Sequence, residues 1–76
     1  MKEFLEFMVR HLVDQPEKIM VATEERDDGL VFRLSVGEGE VGKIIGKEGR
    51  TAAALRTLLR AVAAKQGKRA LLEIVG

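Results

Sequence analysis

The 76 residues make room for one domain, residues 1–76, whose folding would bury roughly 60% of its unfolded surface, so the core must be small. Thirteen basic against twelve acidic residues give a formal charge of +1, which excludes the strong positive balance of many nucleic-acid binders and leaves only local clustering to attract an anion. The absence of cysteine excludes disulfides and thiolate metal sites, while charges at Lys2, Glu3, Glu6, Arg10 and Asp14 suit neither a signal core nor a membrane span, so a cytoplasmic setting is expected.

Phe4, Leu5, Met8, Val9 and Leu12 recur at helical spacing, which predicts an amphipathic helix over residues 2–14 stopped by Asp14-Gln15-Pro16. Phe7 and Val13 widen the apolar stripe, and the stripe needs a sheet to cover. Glu3, Glu6 and Asp14 would oppose an anionic membrane surface. His11 is the only histidine and has no second ligand near it in sequence, so it reads as a surface or boundary residue and no metal site is expected.

Ile19 to Thr23 favours a strand, and Leu30, Phe32, Leu34 and Val36 alternate with Val31, Arg33 and Ser35 in a second one. Arg26-Asp27-Asp28-Gly29 supplies the turn, so the pair is an antiparallel hairpin with Leu30, Phe32, Leu34 and Val36 facing the helices. Gly37 to Gly42 matches the dinucleotide pattern G-x-G-x-x-G, but Glu38 and Glu40 would lie against a pyrophosphate and the chain is too short for the doubly wound sheet that pattern serves. Gly42 to Lys47 is one residue short of a P-loop and lacks the Ser or Thr that follows it. Both stretches read as connecting turns.

Val41, Ile44 and Ile45 suit one apolar helical turn. Gly46-Lys47-Glu48-Gly49 then lets the backbone bend tightly and lie bare against a ligand, and Gly49-Arg50-Thr51 opens the next helix, where free amides and the dipole favour an anion. Lys47 and Arg50 add full charges, so a phosphate chain is the inferred ligand, although Gly-x-x-Gly alone also matches helix corners that bind nothing. Leu55, Leu58, Leu59 and Val62 form the core stripe of a helix over residues 50–65. Ala53, Arg56, Thr57, Arg60 and Ala64 lie opposite, with Ala54 and Ala61 at the edge. These small residues either reflect helix propensity or admit a second helix closely. Gly67 caps the helix, and residues 69–75 form a third strand, parallel to the second because helical crossovers are right-handed. The fold class is α+β, with a three-stranded mixed sheet in the order 1-2-3 and all helices on one face. Charge is polarised along the chain: from Gly42 to Lys68 the only acid is Glu48, whereas from Glu17 to Glu40 seven acids face three bases.

The string Ile44-Ile45-Gly46-Lys47-Glu48-Gly49-Arg50-Thr51, followed by the helix through Leu55 and Leu58, resembles the signature of KH domains. The leading helix, hairpin, helix pair and closing strand Leu71-Leu72-Glu73-Ile74-Val75 resemble the type II KH fold, order αββααβ. The full length, with Val41-Gly42-Lys43 and Gly67-Lys68-Arg69, is similar to the small stand-alone bacterial KH proteins of the KhpA family. The resemblance implies that the loop clamps about four single-stranded nucleotides, more readily of RNA. The site carried over is Gly42, Lys43, Ile44, Ile45, Gly46, Lys47, Glu48, Gly49, Arg50 and Thr51, with Ile44 and Ile45 as candidates for the floor of a base-binding groove. It further implies an RNA chaperone or post-transcriptional regulator without cofactor or catalysis, and a homodimer or a pair with a second KH protein. Glu48 and Ala53 depart from the family pattern and would weaken binding.

For the dimer, the exposed side bearing Ala53, Thr57, Ala61 and Ala64 is the candidate interface. The alternative function is a protein-interaction adaptor of KH-like fold that pairs with another KH protein and no longer grips RNA, a reading favoured by Glu48 and opposed by Lys47 and Arg50. A helix-turn-helix DNA binder shares the helix-Gly-helix pattern. No carboxylate pair, metal-ligand cluster or activated nucleophile points to an enzyme.

Overall fold

A computed structural model describes residues 1–75. The chain forms α1 (Lys2–Arg10), β1 (Met20–Arg26), β2 (Gly29–Ser35), α2 (Val41–Ile45), α3 (Arg50–Lys65) and β3 (Ala70–Val75), with short 3-10 turns at Pro16–Lys18 and Lys47–Gly49. This is the expected αββααβ order. The three strands make one sheet in the order β1-β2-β3, antiparallel between β1 and β2 and parallel between β2 and β3.

Helix α1 buries Leu5 and Val9 completely, as their spacing requires, but it ends at Arg10 rather than near Asp14. The amides of His11 and Leu12 fall back to the carbonyls of Met8 and Val9, a tighter i to i−3 pattern that closes the helix. Beyond it the amides of Asp14 and Gln15 donate to the Glu40 carboxylate, at 2.6 and 3.3 Å, which draws the chain off the helical path. Phe7, expected to widen the core stripe, is 61% exposed.

The hairpin turns through Asp27-Asp28, with Arg26 paired to Gly29, and β1 runs three residues past the expected Thr23. Phe32 and Leu34 face the helices and are fully buried. Val31 lies on the opposite face yet is also buried, because β2 is the central strand and Glu24 and Leu71 flank Val31 on either side. In α3 the buried residues are Ala52, Leu55, Leu59 and Ala63. Leu58, expected in the core stripe, is 49% exposed because small Ala52 and Ala63 take the inward positions and turn Leu58 aside. The core thus joins Leu5, Val9, Phe32, Leu34, Ile44, Leu55, Leu59 and Leu72 between the sheet and the helices.

Candidate functional site

The loop between α2 and α3 is built from backbone conformations that side chains resist. At Gly46, where φ is 75° and ψ 176°, a Cβ would fall 2.1 Å from the Thr51 hydroxyl oxygen and 3.0 Å from the Thr51 amide nitrogen. Only glycine fits. Glu48 follows in the left-handed region at φ 57°, and Gly49 at φ 74° is the N-cap of α3. Gly49 thus caps α3 from just outside it, and the helix runs over Arg50–Lys65, the span expected for it. Gly46 donates to the Gly42 carbonyl at 2.9 Å and Gly49 to the Gly46 carbonyl at 3.2 Å, so the loop is held by its own backbone. No side chain caps α3, which leaves the positive end of a 16-residue helix facing the loop.

Among the side chains carried over from the sequence, Ile44 is fully buried in the core and supports the loop from behind, whereas Ile45 is 41% exposed. Of the two candidates for a groove floor, only Ile45 presents its side chain. Lys47 forms no ion pair among the described residues, while Arg50 Nη2 lies 3.5 Å from Glu48 Oε2 with both side chains exposed. Lys43 is bonded to Asp14 and stands 3.8 Å from Glu40; the Asp14 carboxylate, chiefly by accepting this hydrogen bond, holds the ammonium above the usual lysine range.

In the sequence Glu40 counts as an acid that spoils a dinucleotide site and as one of the seven acids between Glu17 and Glu40. It is the one buried charged residue among those described, and it ties the segment after α1 to the start of α2. A Cβ at Gly37 would stand 3.2 Å from its Oε2, so the preceding turn makes room for the carboxylate. No local pattern marks this role, since the amides its carboxylate accepts from are 25 and 26 residues away.

Helix α3 presents three further surfaces. Toward β3, Arg56 Nε approaches the Leu72 carbonyl at 3.4 Å, and Arg60, Lys68 and Arg69 surround a depression of about 330 Å³. Toward α1 an open apolar cleft of about 340 Å³ is lined by Phe7, Met8, Leu12, Ala54, Leu55 and Leu58. Away from the core, Ala53, Thr57, Ala61 and Ala64 are all exposed, and the Thr57 hydroxyl donates to the Ala53 carbonyl at 3.0 Å. Among the described residues no helix is long and apolar enough to cross a membrane, and no three His, Asp or Glu side chains gather as a metal site would need.

A mixed three-stranded sheet in αββααβ order, with a Gly-x-x-Gly loop joining its two central helices, defines a KH domain of type II. The chain belongs to the KhpA/KhpB KH-domain family, whose model matches residues 2–74. It is 45% identical over 75 residues to the RNA-binding protein KhpA of Chlamydia trachomatis, covering 99% of this chain and 96% of the relative. The RNA-binding protein KhpA of Listeria monocytogenes is 44% identical, with 99% of each chain covered, and that of Clostridium acetobutylicum 39%, with 99% and 100% covered. No solved structure matches the chain.

Proposed function

We propose that this protein binds single-stranded RNA in the cytoplasm through the Gly46 to Gly49 loop, as an RNA chaperone or post-transcriptional regulator that performs no chemistry of its own. The observation that carries this reading is a bare, left-handed backbone turn delivered to the uncapped start of α3 beside the unpaired Lys47. Amides at a helix start bind phosphate without reading sequence. Ile45 is the apolar surface next to that turn. The names of the relatives, each an RNA-binding protein, point the same way.

Partnership is the second part of the proposal. The chain forms a homodimer, or pairs with a second KH protein, through Ala53, Thr57, Ala61 and Ala64. Short side chains let two helices approach closely, and the Thr57 hydroxyl, already bonded within its own helix, leaves no stranded donor at such a contact. The adaptor reading keeps this surface and drops the RNA; the internal pairing of Arg50 with Glu48 is what favours it.

Filter binding of single-stranded RNA, single-stranded DNA and duplex DNA at one salt concentration separates the readings. Replacing Lys47 and Glu48 together by aspartate should abolish RNA binding with an unchanged melting profile, since both side chains are exposed. The slope of log K on log salt should be about −1.5 to −3, from roughly −0.7 for each phosphate contacted. Retained affinity in the double variant would remove the loop from the site.

A further inference from the structure

Lys43 lies on α2 one helical turn before Gly46, within a lysine's reach of the loop, yet its ammonium is engaged by Asp14 from the segment after α1. Two acids from separate parts of the chain hold it. Asp14 bonds it directly, and Glu40 stands 3.8 Å away. The position of Asp14 is itself fixed, because its backbone amide donates at 2.6 Å to Glu40 Oε1, the same oxygen that faces Lys43. The Asp14 side chain meanwhile stays 80% exposed, with nothing in the core depending on it. One lysine between two carboxylates leaves that cluster with a net negative charge, whereas Lys47, in the loop itself, forms no ion pair among the described residues.

We propose that Asp14 is a built-in competitor for the Lys43 ammonium, keeping it from the phosphates at the Gly46 to Gly49 loop and so setting the protein's affinity for RNA. The inference rests on the RNA-binding reading above. RNA then enters on the Lys47 and α3 side of the loop, and Lys43 joins the contact only when Asp14 is removed. The raised basicity of Lys43 accords with an ammonium already committed to an anion.

The test is a double-variant cycle on the full chain with a single-stranded oligouridylate, read by fluorescence anisotropy across a salt series. Asp14→Asn should tighten binding about two- to fivefold at low salt, the range expected when an exposed ion pair no longer competes. The salt slope should steepen by about 0.7, one added phosphate contact. Lys43→Gln should cost less affinity in the parent than in the Asp14→Asn background, where it should cancel the whole gain. Glu3→Gln removes the same unit of charge from the first turn of α1 and should do nothing. The proposal is overturned by an Asp14→Asn protein that binds no better than the parent, by a gain that survives Lys43→Gln, or by an equal gain from Glu3→Gln. If the parent fails to bind, or the Lys47 and Glu48 double aspartate variant binds as well as the parent, the RNA-binding reading falls and this inference with it. A parent that binds, a loop variant that does not, and no response to Asp14→Asn sink this inference alone.

Discussion

A methyl group added at Gly46 would meet the Thr51 side chain at less than van der Waals distance and hold a left-handed φ as well, whereas one at Gly49 would meet nothing within 4 Å. Overpacking costs about 1–3 kcal/mol and a left-handed backbone about 1–2 kcal/mol. Gly46→Ala should therefore destabilise by roughly 2–5 kcal/mol, and Gly49→Ala by only about 1–2 kcal/mol, in urea denaturation. Equal losses would mean that Thr51 yields freely and that the first glycine is kept for its ligand alone. The two glycines were legible because their spacing is local. Their unequal roles were not, since they depend on where α3 carries Thr51. The same limit hid the difference between Ile44 and Ile45, neighbours that the helix rotates about 100° apart, so that one meets the core and the other its edge.

Strand pairing follows from alternation and turn chemistry, and the parallel third strand from crossover handedness, so the sheet is legible in the sequence itself. The end of α1 was not, because the Glu40 carboxylate that takes the Asp14 and Gln15 amides arrives from 25 and 26 residues downstream. On the open face of the sheet a network of charges bridges all three strands: Arg26 Nε lies 2.5 Å and Arg33 Nη2 3.7 Å from Glu24, and Arg33 Nε is 3.2 Å from Glu73. The Arg26 hydrogen bond, with its charge and that of Arg33, holds the Glu24 carboxyl below its ordinary 4.5. A depressed carboxyl stabilises the fold above the unfolded value and loses that contribution as pH falls through the folded one. Glu24→Gln should thus melt lower than the parent at pH 7, with the gap closing on acidification below about 4.5. A gap of the same size at pH 3 would show that the charge pairing of Glu24 contributes nothing to stability.

At the scale of the molecule, the polarity of charge along the sequence becomes a polarity of surfaces around α3, with Arg56, Arg60, Lys68 and Arg69 on the β3 side and the apolar cleft of Phe7 and Leu58 on the α1 side. The cleft was invisible in the sequence because Phe7 and Leu58 each fit the core stripe of their own helix, and only the packing of α1 on α3 brings them together outside it. Between these surfaces runs the row Ala53, Thr57, Ala61 and Ala64, exposed throughout. Two copies pairing about a twofold axis along that row would bring their Arg60 and Lys68 side chains toward each other. Like charges repel less at high ionic strength, so a dimer made this way should tighten as salt rises, opposite to the trend for RNA. Two loops on one particle would also let a longer RNA gain avidity. Ala53→Asp should yield a monomer in sedimentation, since a packed interface would have to bury the new charge, whereas a solvated helix tolerates it. If Ala53→Asp leaves the mass unchanged while Leu58→Asp halves it, self-association runs through the apolar cleft and the alanine row is only a well-formed helix.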